Sequence, residues 1–305
     1  MNNVHGFRFT ALGCTGRIRI AGTSEAEAQR VVIDAVGWLR DTEQKLSRFV
    51  ATSLVSRLNR GEVVVADPDM IELLALAEQA TRQTAGRFHI AAAPLWKLWH
   101  DPQQTTWPSQ TEIQSALDRC VNKIAVVEQG HMRLTGVGNA IDFGGIGKEW
   151  CVEKLITRIS QQGIKHVLVE LGGDCAVRGH QPQREGWAVL LPGVAGAIIL
   201  KNEAIATSGL GTRGRWLMGQ WIPHLIDAVT GKPASGMVQS ASIIAPSCVV
   251  AGIHASDLCL LLDSSPVEIM ARHGNYPTWL RLQNGAWWGT TALTTGIYPV
   301  AGQAA

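Results

Sequence analysis

The sequence predicts an α+β fold, on three observations. Helical and β-rich segments mix without a regular strand–helix–strand rhythm. Hydrophobic residues make up 46% and charged residues only 17% of 305 positions, so the chain can bury a substantial core. Glycine is abundant, 32 residues, and it clusters beside short apolar runs in the second half.

The N-terminal stretch, Met1 to Cys14, is interrupted by His5, Arg8 and two early asparagines. Ala11-Leu12-Gly13-Cys14 faintly resembles a lipoprotein cleavage box, but no apolar run precedes it, so a buried strand is expected there. A first long helix is expected from about Ser24 to Phe49, capped by Thr23 or Ser24. Val32, Val36, Leu39, Leu46 and Phe49 then fall on or near one face. A second starts at the cap Asp67 with Pro68 in its first turn, runs through Ile71, Leu74 and Ala77, and ends near Gly86. Thr111 to Val121 reads as a third helix, and Lys148 to Gln162, closed by Gly163, as a fourth. Short β-rich runs lie at Ile124–Val127, His166–Glu170, Ala188–Leu191, Ile198–Leu200 and Ala241–Ala245. No repeat or linker appears. A single domain over 1–305 is expected, with a soft division near Asn139 between a helix-rich and a glycine-rich half.

The formal charge of +2 gives no electrostatic reason for a nucleic-acid or anionic-membrane partner. No stretch approaches the ~20 apolar residues of a spanning helix. Six cysteines form no close pair and read as reduced core thiols, Cys151 at a helix start included. A cytoplasmic chain without a membrane anchor is expected. The eleven tryptophans, Trp96, Trp99, Trp150, Trp187, Trp216 and Trp221 among them, read mainly as core anchors. One or two are able to stack on a flat ring.

Ala140-Ile141-Asp142-Phe143-Gly144-Gly145-Ile146-Gly147-Lys148-Glu149-Trp150 is the most informative segment. It reads as a short strand, a glycine turn and a helix start, where free amides and Lys148 favour phosphate. A tight strand-to-helix turn without a ligand fits the same residues. A Walker loop is excluded, because Asp142 stands at its first glycine and Glu149 follows the lysine; no G-x-G-x-x-G is present. Further clusters are Val169-Glu170-Leu171-Gly172-Gly173-Asp174, then Ala204-Ile205-Ala206-Thr207-Ser208-Gly209 with Arg213, then His224-Leu225-Ile226-Asp227-Ala228-Val229-Thr230-Gly231.

In this order and spacing the segments resemble the ApbE family of FAD:protein FMN transferases. That family carries G-G-[IL]-A-K-G, N-x-G-G-D, A-[VI]-A-T-S-G and H-I-I-D-P-x-T-G in turn. Leu46-Ser47-Arg48-Phe49 with Ser53-Leu54-Val55-Ser56-Arg57-Leu58-Asn59 resembles its L-S-x-[FY] and S-E-[IL]-S-x-[LI]-N stretch. Gly86-Arg87-Phe88, Pro94-Leu95 and Leu98-Trp99 resemble its G-x-[FY]-D, P-L and L-W run. The resemblance covers roughly residues 12 to 262.

The resemblance implies a two-lobed, T-fold-like architecture with FAD in a cleft between the lobes. It also implies Mg²⁺-dependent transfer of FMN from FAD to a Ser or Thr hydroxyl of a partner protein. Asp257 would be the metal carboxylate and the Gly147 carbonyl a second oxygen. Asp257, Lys148 and His224 form the implied catalytic set. Lys148 and the turn of Gly144, Gly145 and Gly147 would face phosphate, with Thr207, Ser208 and Arg213 nearby. Asp142, Gly173 and Asp174 carry over to the cofactor by motif position, although a turn or cap role suits each aspartate equally. The chain departs from the pattern at five places. Leu261 stands where a threonine four residues after the aspartate helps to hold the metal. His89 replaces the aspartate of G-x-[FY]-D, where it is either an ordinary histidine or a substitute hydrogen-bond partner for the cofactor. Glu149 replaces the glycine of A-K-G, Ala228 replaces the proline of H-I-I-D-P, and Leu12-Gly13-Cys14 stands at M-G-T. These departures keep two other readings open. One is a flavin-binding accessory protein without transferase activity, the other an enzyme of a different nucleotide or pterin-type cofactor on the same scaffold.

Overall fold

The computed structural model describes residues 3–120, 124–136, 138–194, 196–262, 265–272, 276–290 and 297–298. The N-terminal stretch folds as a hairpin of β1 (Val4–Ala11) and β2 (Cys14–Ala21), longer than the single strand expected. Its turn places Leu12 and Gly13 at φ 52° and 66°, as a two-residue hairpin of the tightest kind requires.

Helix α1 (Glu25–Leu46) follows, with Ser24 Oγ accepting the Glu27 amide. It ends three residues before the expected Phe49, because Ser47 turns extended. Phe49 therefore leaves the apolar face and is 81% exposed. Helix α2 (Leu54–Asn59), capped by Ser53, and strand β3 (Val64–Val65) lead to α3 (Pro68–Gln83). Asp67 caps α3, with Pro68 in its first turn, as expected. A short 3₁₀ turn (Ile90–Ala92) runs into α4 (Ala93–His100), and α5 (Gln110–Leu117) begins with a capping box of Ser109 and Glu112. Val121, the expected end of that helix, lies outside the described residues. Strands β4 (Ala125–Glu128) and β5 (His131–Leu134) join β3 in a small sheet. The expected strand at Ala140–Phe143 is instead an irregular segment that enters α6 (Gly147–Gln161).

The second half supplies β6 (His166–Leu171), β7 (Asp174–Arg178), β8 (Trp187–Leu190), β9 (Ala197–Leu200) and β10 (Ala204–Gly209). Then come the hairpin β11 (Gly214–Leu217) and β12 (Gln220–Pro223), β13 (Val238–Ala245) and α7 (Cys248–Leu260). Helix α8 (Pro266–Arg272), β14 (Thr278–Leu282), β15 (Trp287–Gly289) and β16 (Ile297–Tyr298) complete the order.

The main sheet has eight strands in the order β1-β2-β6-β7-β10-β13-β14-β15. Every neighbouring pair is antiparallel, and the sheet unites β1 and β2 from before Asn139 with six strands from after it. Period-two alternation divides its side chains between two faces. Ile18, Ile20, Val167 and Val169 pack under the helices, whereas Ala21, Leu168, Cys175 and Val177 pack with Trp187 and Leu200 of the small β8–β9 sheet. Helix α7 is buried nearly all round, because Val249 and Ile253 face one core and Ala255 and Leu258 another. That leaves no apolar stripe, which is why periodicity does not reveal this helix.

The six cysteines are free thiols, and burial raises the pKa of Cys151, as expected of an inert core group. Trp150 and Trp187 are core anchors as expected, but Trp216 is 67% exposed. No helix among the described residues is long and apolar enough to cross a membrane.

Candidate functional site

Contacts from distant parts of the chain hold the glycine turn. Asn59, the last residue of α2, donates from Nδ2 to the Ile141 carbonyl at 3.0 Å and accepts the Ile141 amide at 2.8 Å. The Asp142 amide bonds the Ile90 carbonyl at 2.9 Å. Asp142 then turns the chain: its Oδ1 accepts the Gly144 amide at 2.9 Å while Oδ2 meets Arg48 Nε at 3.0 Å. Gly145 lies so close to Phe88 that a Cβ would sit 2.8 Å from the ring, so only glycine fits there.

This turn borders a cleft of about 760 Å³. It lies in the upper part of the roughly 300–1,000 Å³ typical of small-molecule sites. The four glycine-bearing clusters singled out in the sequence all reach it. Asp142, Gly144, Gly145, Gly147 and Lys148 line it, together with Thr207, Ser208, Arg213, His224 and His89. Gly172 lines the cleft where Gly173 was expected. Asp174 acts from beneath, its Oδ1 accepting the Thr207 amide at 3.1 Å. Thr207 and Ser208 are tied by hydroxyl pairs to Ser242 and Ser256, each at 2.7 Å.

The charges differ from those expected. Lys148 Nζ is held between Asp174 Oδ2 and Glu149 Oε1, the latter at 3.2 Å. Burial opposes its charge, but the two carboxylates override that and raise its pKa. Glu149 is itself buried, burial raises its carboxyl, and its Oε2 has no hydrogen-bond partner among the described residues. Lys148 thus neutralises an acidic pair and is not a cation left over for phosphate. Arg213 is placed differently. Its Nη2 donates to Cys14 Sγ at 3.0 Å, and it has no carboxylate partner among the described residues.

Three histidines line the cleft, and burial lowers the pKa of each. His224 is depressed to about 4, and its Nδ1 lies 3.2 Å from the Arg213 carbonyl. A carbonyl only accepts, so Nδ1 carries the proton and Nε2 is a bare acceptor. His89 is the reverse. Its Nδ1 accepts the Ala91 amide at 3.1 Å, which leaves a buried Nε2–H donor without a partner among the described residues.

The sequence left open that one or two tryptophans stack on a flat ring, but it did not reveal the aromatic strip that Phe49 and Arg48 form with Trp96. The Arg48 guanidinium lies 4.4 Å from the Phe49 ring and 4.1 Å from the Trp96 ring, and Trp96 stacks on His100 at 4.6 Å. Ser53 and Ser56 fix this strip by donating to the Ser47 and Arg48 carbonyls at 2.6 and 3.1 Å. Phe49 and Asn59 sit inside motifs already quoted, so a signal existed for them. Arg87 occupies the variable position of G-x-[FY]-D and had none.

The expected metal ligands do not assemble. Arg87 Nε and Nη2 both reach Asp257 Oδ1 at 2.8 Å, and Asp257 is 1% exposed. Leu261, without a side-chain oxygen, packs into the core beside Val238 and Leu280. No three His, Cys, Asp or Glu side chains among the described residues gather as a metal site. Asp257 and Gly147 therefore do not fit Mg²⁺ as they stand, because a fixed guanidinium already holds the carboxylate.

The ApbE family profile matches residues 12–277. The chain is 27% identical over 292 residues to a Treponema pallidum protein named FAD:protein FMN transferase, covering 84% of this chain and 80% of that one. A Klebsiella pneumoniae protein of the same name is 24% identical over 280 residues, covering 86% and 80%. Among solved structures, the ApbE protein of Thermotoga maritima superposes with a TM-score of 0.86 at 23% identity, covering 97% of this chain and 100% of its own. The flavinyl transferase ApbE of Pseudomonas stutzeri, in its apo form, gives 0.83 at 21%, covering 97% of each. With its α+β fold, its motifs in order around one cleft and a profile match over most of its length, the chain belongs to the ApbE family.

Proposed function

We propose that this chain binds FAD in the cleft and transfers its FMN half to a Ser or Thr hydroxyl of a partner protein. The observation that carries the reading is the convergence of the family's glycine and hydroxyl segments on one cleft. That cleft offers different groups to the two chemical parts of a flavin dinucleotide. The strip of Phe49, Arg48 and Trp96 presents flat ring and guanidinium surfaces that suit a planar heterocycle. The glycine turn and Arg213 offer backbone amides and a guanidinium to the diphosphate. The names of the curated relatives support the same assignment.

In the transfer, the acceptor hydroxyl oxygen attacks the phosphorus of the FMN half and forms a phosphoester. The bond from that phosphorus to the bridging oxygen breaks, and AMP leaves. The hydroxyl proton goes to His224 Nε2, which its depressed pKa keeps free of a proton at neutral pH. His89 Nε2–H is placed to donate to an acceptor atom of the bound cofactor. The magnesium implied by the family resemblance is given no step, because Arg87 holds Asp257.

The test is incubation with FAD and a Ser- or Thr-bearing acceptor domain, read as AMP release and a mass gain of one FMN. AMP release matched by the mass gain supports the proposal. FAD retained without cleavage returns the flavin-binding accessory reading. Retention of another nucleotide or a pterin, with FAD refused, returns the different-cofactor reading.

A further inference from the structure

We propose that Arg87 stands in for a divalent cation at Asp257, so that this member of the family holds no metal ion at that carboxylate. The inference concerns one position and extends the flavin reading without depending on it.

The geometry is that of a closed pair. Two guanidinium nitrogens, Nε and Nη2, converge on one carboxylate oxygen at 2.8 Å. The side chains are 16% and 2% exposed, so little water screens them. Both partners sit on fixed backbone. Asp257 lies inside α7, and the Arg87 carbonyl accepts the Ala228 amide at 3.0 Å. Arg87 itself follows Gly86, whose φ of 85° suits the reversal after α3.

Chemistry favours the arginine over an ion here. A guanidinium keeps its charge at every pH the protein meets, and it is more weakly hydrated than a small cation. Mg²⁺ gives up its waters reluctantly and needs several oxygens in return. The position that would supply one, Leu261, is 6% exposed and built into apolar core. Displacing Arg87 would also strand a buried charge, which is strongly unfavourable. The two residues are thus complementary: Arg87 brings a positive charge to Asp257, and Leu261 offers no oxygen ligand.

The experiment titrates the nucleotide-free full chain with Mn²⁺ and follows bound metal by electron paramagnetic resonance and stability by thermal melting. The parent is expected to show no saturable uptake that depends on Asp257, and no rise in melting temperature beyond a salt control. Arg87→Met should melt lower and be partly restored by Mn²⁺, and Arg87→Met/Leu261→Thr should take up one Mn²⁺. Stoichiometric binding by the parent that Asp257→Asn abolishes would overturn the proposal. So would a folded Arg87→Met/Leu261→Thr chain that takes up none. Should the arginine variants fail to fold, the parent titration decides alone. In a separate arm, EDTA should leave the parent's FAD affinity within about twofold, and a loss of about tenfold or more would count against the proposal. A chain that binds no FAD at all would end the flavin reading while leaving the Mn²⁺ result intact.

Discussion

At the scale of single residues, the cleft separates groups of the same charge into different trades. Among the described residues Arg213 is the cleft cation without a carboxylate partner, so Arg213→Ala should weaken FAD binding by about 1.5–3 kcal/mol, the range for hydrogen bonds to charged groups. Calorimetry is the measurement, and the melting temperature should barely move. Lys148 should behave in the opposite way. It is wedged between Glu149 and Asp174, and Lys148→Ala leaves two buried carboxylates unpaired. A loss of about 3–5 kcal/mol of stability in urea is expected, as for other broken buried pairs. The sequence reading assigned both residues to the cofactor, and both line the cleft. It assigned the phosphate charge to Lys148 because a lysine after glycines at a helix start is a phosphate signal. The carboxylate that intercepts it, Asp174, is 26 residues away in the chain and adjacent only in the fold.

At the scale of elements, the exchange of a family glycine for Glu149 has consequences for how α6 meets α7. Glu149 projects from the first turn of α6 against Gly252, where a Cβ would stand 2.7 Å from Glu149 Cγ. Gly252→Ala should therefore destabilise the parent by about 1–3 kcal/mol, as overpacking does. In a Glu149→Gly background the same change should have almost no effect. Unfolding the four chains of that cycle gives the coupling directly, and equal effects in both backgrounds would sink the contact. The helices with apolar stripes, α1, α3, α5 and α6, were legible within a few residues. Helix α7 was not, because a helix buried on every side carries no period. The end of α1 was missed for a related reason. Phe49 continues the helical pattern in sequence, but the hydroxyls of Ser53 and Ser56 hold the chain in a different path.

At the scale of the whole molecule, stability should depend on pH through the cleft histidines. Burial depresses His89 and His100 below the ordinary histidine value of 6.5, and His224 to about 4. Between 6.5 and the depressed value the unfolded chain binds the proton and the folded chain does not. Stability is then fully present above about pH 6.5 and is lost as pH falls toward 4. Urea midpoints measured across that window should fall steadily. His224→Gln, which removes the group with the largest depression, should flatten the curve. A slope unchanged in that variant would place the acid sensitivity elsewhere.

By itself the sequence determined the α+β class, the main helices, most strand positions and the residues that border the cleft. These rest on local signals: caps, periodicity, glycine turns and ordered motifs, each written within a few consecutive residues. Tertiary structure alone decided which charges meet. The pairing of Arg87 with Asp257 spans 170 residues, and the clamp of Asn59 on Ile141 spans 82. No periodicity encodes such contacts. They arise where α7, the loop after α3 and the glycine turn pack together, because burial there leaves each charge only a protein partner in place of water.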